Sequence, residues 1–121
     1  MKVLVVDDNK KINELFSEYF ELSGIKGVYT ESAKNLTEII SLEKPDFIIL
    51  DMAMPKYDGF YGINEMKKSN FDLSKVIVLS AAEFTDTEKQ KIKDQGIIYH
   101  LEKPTELSIL KEIFIQNKKT E

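Results

Sequence analysis

The chain has 121 residues and a mass of 14.0 kDa, enough for one hydrophobic core and too little for a catalytic domain with a separate output domain. Apolar residues make up 42% and charged residues 31%, a globular mix that excludes wholesale disorder. The formal charge of -4 argues against a surface built to neutralise nucleic-acid phosphates, and because all 17 basic residues are Lys, bidentate guanidinium recognition of a phosphate is excluded.

Strand one is predicted over Val3 to Val6, straight after Met1, a continuous β-branched run of the kind buried on both faces of a parallel sheet. Helix one follows, with Ile12, Leu15, Phe16, Tyr19 and Phe20 at helical spacing. Gly27 to Thr30 reads as a weaker edge strand. Leu36, Ile39 and Ile40 give helix two, with Ser32 as its cap. Phe47 to Leu50 is the next buried strand, and helix three starts after Asp58-Gly59, carrying Ile63 and Met66. Val76 to Leu79 is a strand; helix four covers about 85–95 and stops at Gly96. Ile97 to Leu101 is the last strand, and Pro104 opens helix five, whose inner stripe is Leu107, Leu110, Ile113 and Phe114. Ile109 and Ile115 lie off that stripe and read as extra core, or else as a partner surface.

This is (βα) repeated five times with short loops, an α/β doubly wound fold with a five-stranded parallel sheet and helices on both faces. Residues 1–121 are expected to form a single domain with no output domain. No apolar run approaches the roughly 20 residues of a membrane span, and Lys2 followed by four apolar residues and two acids is no signal peptide, so the expected location is cytoplasmic.

Ligands of such sheets bind beyond the C-terminal strand ends. There stand Asp7-Asp8 after strand one, Asp51 at the end of strand three, Ser80 after strand four and Lys103-Pro104 after strand five. Three carboxylates at close quarters repel one another, and burial would either raise a pKa or demand a cation; a divalent cation resolves this. No Cys is present and His100 is the single His, so a thiolate or multi-His site is excluded; oxygen ligands select a hard ion, Mg²⁺ before Ca²⁺, with Mn²⁺ as a substitute. Lys103 and Ser80 then call for an anion, and a phosphoryl group suits them.

The motifs VVDDN (5–9), ILDMAMPKYDG (49–59), VLSAA (78–82) and EKP (102–104), in this order and each at a strand end, resemble the receiver domain of two-component response regulators, of the CheY-like kind. The resemblance spans essentially the whole chain and implies strand order 2-1-3-4-5. It implies Asp51 as phosphoacceptor, attacking the phosphohistidine of a sensor histidine kinase or histidine phosphotransfer domain. Asp7, Asp8, Asp51 and the backbone carbonyl of Ala53 would hold Mg²⁺; Ser80 and Lys103 would meet the phosphoryl oxygens. The Lys103–Pro104 peptide bond would be cis. His100 falls where the family has a switch aromatic, and a plain packing role is equally open; Tyr99 should face the other side of the strand. Ala53 and Ala82 would orient no hydrolytic water.

The expected function is a stand-alone switch, not an enzyme with a separate substrate, signalling by phosphorylation-dependent protein binding of the chemotaxis type through helix four, strand five and helix five, as monomer or phosphorylation-dependent dimer. The alternative is a phosphorelay carrier. From other classes, a flavodoxin-like electron carrier would need a Gly-bearing phosphate loop where this chain has Asp7-Asp8-Asn9-Lys10. An Asp phosphatase would need a second acid two residues after its first.

Overall fold

Each of the five apolar runs becomes a parallel strand, and the helices between them close over both faces of the sheet. In this computed structural model, which describes residues 1–54, 56–80, 84–103 and 107–119 with side chains to 117, the elements alternate in chain order. They are β1 (Lys2–Val6), α1 (Lys10–Ser23), β2 (Lys26–Thr30), α2 (Leu36–Glu43), β3 (Phe47–Asp51), α3 (Gly59–Lys68), β4 (Val76–Ser80), α4 (Asp86–Asp94), β5 (Tyr99–Glu102) and α5 (Leu107–Lys119), with a 3-10 turn at Leu73–Lys75 before β4. The strand order is 2-1-3-4-5, all parallel, so β1 and β3 are adjacent and the chain reverses direction of travel between them. That reversal is the crevice where a doubly wound sheet binds its ligand.

The register places the functional ends together. Val6 pairs with Leu50, Asp51 with Leu79, and Ser80 with Glu102. Alternation along each strand splits the core in two. Leu4, Val6, Ile48, Leu50, Val76 and Val78 meet Leu36, Ile40, Ile63, Met66 and Ile92 beneath α2, α3 and α4. Val3, Val5, Phe47, Ile49, Ile77 and Leu79 meet Phe16, Phe20, Leu110, Ile113 and Phe114 beneath α1 and α5. Phe114 bridges the second layer, with ring centroids 6.3 Å from Phe20 and 5.3 Å from Phe47.

Helix ends follow their local chemistry. Asn9 caps α1, accepting from the N–H groups of Lys11 and Ile12, and Gly24 ends it at φ 70. Asp58 caps α3 through the Tyr61 N–H, and Thr85 with Glu88 forms a capping box on α4.

Three expectations are corrected. Ser32 does not cap α2: its Oγ accepts from the Lys34 N–H in a turn, and the helix starts after Asn35, held at φ 63 without a side-chain cap. The last strand is shorter at its start, with Ile97 buried ahead of it and Ile98 exposed. Ile109 and Ile115 are not extra core but exposed, since the sheet is already covered by Leu110, Ile113 and Phe114. Leu15 on α1 is likewise exposed. Pro104 and Ala82 lie outside the described residues, and with them the expected cis bond and helix start.

Gly59 sets the approach of α3 to the site. A Cβ there would stand 2.6 Å from Met52 Cα, next to Asp51, and would press on the Met52 side chain. Gly59→Ala is therefore expected to destabilise the fold by about 1–3 kcal/mol, the usual cost of overpacking, read as a lowered urea midpoint with unchanged m-value.

Candidate functional site

Three acids and one lysine are delivered to one rim by the ends of β1, β3 and β5. The backbone fixes them first. The Asp7 N–H donates to Thr30 O at 3.1 Å, the Met52 N–H to Leu79 O at 3.1 Å, and the Lys103 N–H to Ser80 O at 2.8 Å, so the sheet ladder extends just past the strand ends. Asp7 is 1% exposed and Asp51 3% exposed, whereas Asp8 is open to solvent. Carboxylate oxygens of Asp7, Asp8 and Asp51 all lie within 4.8 Å of one another.

Each buried carboxylate is oriented by a neighbouring amide. The Asn9 N–H donates to Asp7 Oδ1 at 2.9 Å, and the Ala53 N–H donates to Asp51 Oδ1 at 3.0 Å. Lys103, nearly buried itself, sends Nζ to 2.7 Å from Asp7 Oδ2 and 3.5 Å from Asp51 Oδ2. Asn13 steadies the turn from α1 by donating Nδ2 to Asp7 O at 2.9 Å. Burial pushes the Asp7 carboxyl above its usual range, and the Asp51 charge adds to this; the Lys103 ammonium and the Asn9 N–H pull the other way.

The charge balance decides what the rim can accept. Three carboxylates against one ammonium leave two formal negative charges in a concave, partly buried oxygen cluster. A hard divalent cation fits that donor set. Ser80 is buried at the end of β4 beside this cluster in the sheet order, and Ala53 is exposed on the loop after β3. The structure thus brings together Asp7, Asp8, Asp51 and Lys103.

His100 stands apart from them, against Phe84 just ahead of α4. Its ring centroid is 4.6 Å from that of Phe84, tilted by 46°, and Nε2 is buried without a hydrogen-bond partner. Tyr99 points to the opposite layer, where its hydroxyl accepts from Asn117 Nδ2 at 3.1 Å. Burial pushes the His100 imidazole below its usual pKa, Lys89 does the same, and Glu102 opposes both. A depressed folded pKa keeps the neutral ring in place above the ordinary value of 6.5, and stability is lost as pH falls below it through the folded value. His100→Tyr is expected to flatten that decline, measured as the difference between thermal midpoints at pH 7.5 and pH 5; an unchanged difference would show that His100 does not cause it.

Sequence reasoning assigned no role to Asn9, Asn13 or Phe84. Asn9 had a legible signal, an Asn between a strand end and a helical stripe; Phe84 had none, because its contact with His100 is made across 16 residues of chain.

Among known proteins, the family model described as the response regulator receiver domain matches residues 3–114. The chain is 29% identical over 111 residues to sporulation initiation phosphotransferase F of Bacillus subtilis, covering 92% of this chain and 88% of that protein. It is 32% identical over 115 residues to the probable C4-dicarboxylate response regulator DctR of the same organism, of which it spans only 49%. Among solved structures, the Francisella response regulator 1452 receiver domain superposes with a TM-score of 0.83 at 31% identity, covering 99% of this chain and 98% of that one. The Vibrio cholerae chemotaxis protein CheY4, at 24% identity and a TM-score of 0.83, shares the fold over 95% of this chain and 96% of its own. With a family match running over nearly all of its elements, the chain belongs to the response regulator receiver domain family of two-component signalling.

Proposed function

We propose that this chain is a phosphoacceptor switch that takes a phosphoryl group onto Asp51 from a phosphohistidine. The observation that carries this reading is the pairing of one buried, amide-oriented carboxylate with a lysine that reaches it from β5. The Ala53 N–H fixes Asp51 Oδ1, leaving Oδ2 toward Lys103 and the crevice. In the transfer, an Asp51 oxygen forms the new bond to phosphorus while the bond from phosphorus to the imidazole nitrogen breaks, and the electron pair leaves with the imidazole. Lys103 and the Ser80 hydroxyl would then hold phosphoryl oxygens.

Receiver domains bind Mg²⁺ at an acidic cluster and act as signalling phosphoacceptors rather than as enzymes of a separate substrate. Here Asp7, Asp8, Asp51 and the Ala53 carbonyl would hold the ion, which when bound offsets negative charge as the phosphoryl group approaches three carboxylates. Lys103 would exchange its contact with Asp7 for one with the phosphoryl group.

For output, receiver domains interact with histidine kinases or phosphotransfer partners. This chain's own output face would be α4, β5 and α5, with His100 coupling the phosphoryl site to that face. A phosphorelay role is the second reading; its support is the similarity to a sporulation phosphotransferase over 88% of that protein's length. Among the described residues no helix is long and apolar enough to cross a membrane, which is compatible with a cytoplasmic site of action.

The test is intact mass after incubation with acetyl phosphate. Gain of one phosphoryl group in Mg²⁺ and none in EDTA is the expected result. No gain in Mg²⁺ from either acetyl phosphate or a phosphohistidine donor would overturn the reading.

A further inference from the structure

Away from the acidic rim, α3 and α4 leave a groove of about 240 Å³ that joins an apolar floor to cationic walls. Phe60, Ile63, Asn64 and Lys67 line it from α3, Lys91 from α4 and Gln95 from the cap that ends α4. It stays open because α4 buries a single side chain, Ile92, and so is not drawn down onto its neighbour. Lys91 Nζ lies over the Phe60 ring, 5.2 Å from its centroid, a cation–π contact.

The acids near the groove make their hydrogen bonds and ion pairs elsewhere. Glu65 pairs with Lys68 at 3.2 Å, Glu88 accepts from the Thr85 N–H and hydroxyl, and Asp94 accepts from Gln90 at 2.8 Å. Among the described residues no carboxylate forms an ion pair with Lys67 or Lys91. On a chain of net charge -4, this leaves two exposed ammonium groups beside an aromatic face, Lys67 and Lys91, of which Lys91 feels the Glu88 charge without pairing with it.

We propose that this groove docks an acidic peptide segment of a partner protein, with an apolar side chain on Phe60 and Ile63 and flanking carboxylates on Lys67 and Lys91. Charge complementarity selects the sign of the occupant. The two carboxamides, Asn64 and Gln95, select its class: each presents both a donor and an acceptor, which a peptide main chain can use and a simple anion cannot. A carboxylate draws Lys91 from the Phe60 face at little cost, since an exposed cation–π contact is weaker than a charge-assisted hydrogen bond, and the uncovered ring then packs against the apolar side chain. Phosphorylation of Asp51 is not required, so failure here leaves the phosphoacceptor reading intact.

The test is a titration of the ¹⁵N-labelled full chain with a short Glu-rich peptide bearing one central Phe, followed by amide shifts up to millimolar peptide. Saturable shifts centred on Phe60, Asn64, Lys67, Lys91 and Gln95 are expected. The double charge reversal Lys67→Glu with Lys91→Glu should weaken binding roughly tenfold or more, as for loss and inversion of two exposed ion pairs, while the double Lys→Arg variant retains it. Both positions are exposed, so the fold should survive, checked by an unchanged thermal midpoint. Absence of saturable shifts, shifts centred elsewhere, equal binding of the Lys-rich counterpart, or displacement by citrate or a nucleotide as effective as the peptide would each overturn the proposal.

Discussion

Asp51→Asn is expected to abolish phosphoryl uptake completely while leaving the fold unchanged. The substitution is nearly isosteric, and the amide oxygen still accepts from the Ala53 N–H that now fixes Oδ1 at 3.0 Å. What is lost is the anionic oxygen that must form the bond to phosphorus, and a carboxamide offers no comparable nucleophile. Asp7 and Asp8 remain within reach of the same crevice, so the variant also asks whether proximity alone suffices. It should not, because Asp7 is occupied by Lys103 at 2.7 Å and Asp8 is exposed. Intact mass in Mg²⁺ and acetyl phosphate decides the matter, with circular dichroism as the fold control. A variant that still gains one phosphoryl group would move the acceptor to another carboxylate and remove Asp51 from the mechanism.

Most of this site was legible because parallel strands announce their ends. An apolar β-branched run stops where a polar residue replaces it, so Asp7, Asp51 and Ser80 were placed at strand ends by the continuous apolar runs before them, and the sheet order brings β1 and β3 side by side. Contacts between distant side chains were not legible. Lys75 donates to Asn117 across 42 residues, and Asn117 in turn donates to Tyr99, a network that fixes the end of α5 to β5 and leaves no mark in local pattern. Ile109 and Ile115 misled for a related reason. Helical spacing gives the direction of a side chain but not whether the sheet beneath still has room, and Leu110, Ile113 and Phe114 had filled it. The start of α2 was misread because Ser32 is a good cap by type, yet it stands three residues ahead of the cap position at Asn35 and its oxygen is spent on the Lys34 N–H in a turn.

Lys103 holds the acidic rim together without metal, and its removal is expected to cost about 3 kcal/mol at neutral pH in EDTA, the order seen when one partner of a buried ion pair is deleted. Its side chain is only 14% exposed and its ammonium is shared by Asp7 and Asp51. Lys103→Met keeps the aliphatic stem and removes the charge, which separates packing from electrostatics. The loss should shrink as pH falls, because Asp7, whose carboxyl already sits above the usual range through burial and the Asp51 charge, takes up a proton and relieves the repulsion. Asp7→Asn should act in the opposite sense. A carboxyl with a raised folded pKa lends its full stability below the ordinary value of 3.8 and withdraws it as pH rises through the folded value, so neutralising it stabilises the metal-free protein at pH 7 and not at pH 3.5. Mg²⁺ should restore much of the Lys103→Met deficit by binding only the folded state, and should do little for Asp7→Asn, which has given up a ligand. Urea midpoints at three pH values, with and without Mg²⁺, read all of these signs. Equal deficits for Lys103→Met at pH 5 and pH 8 would show that its stem, not its charge, supports the rim, and a destabilised Asp7→Asn at pH 7 would mean that the pair with Lys103 outweighs the cost of burying the carboxylate.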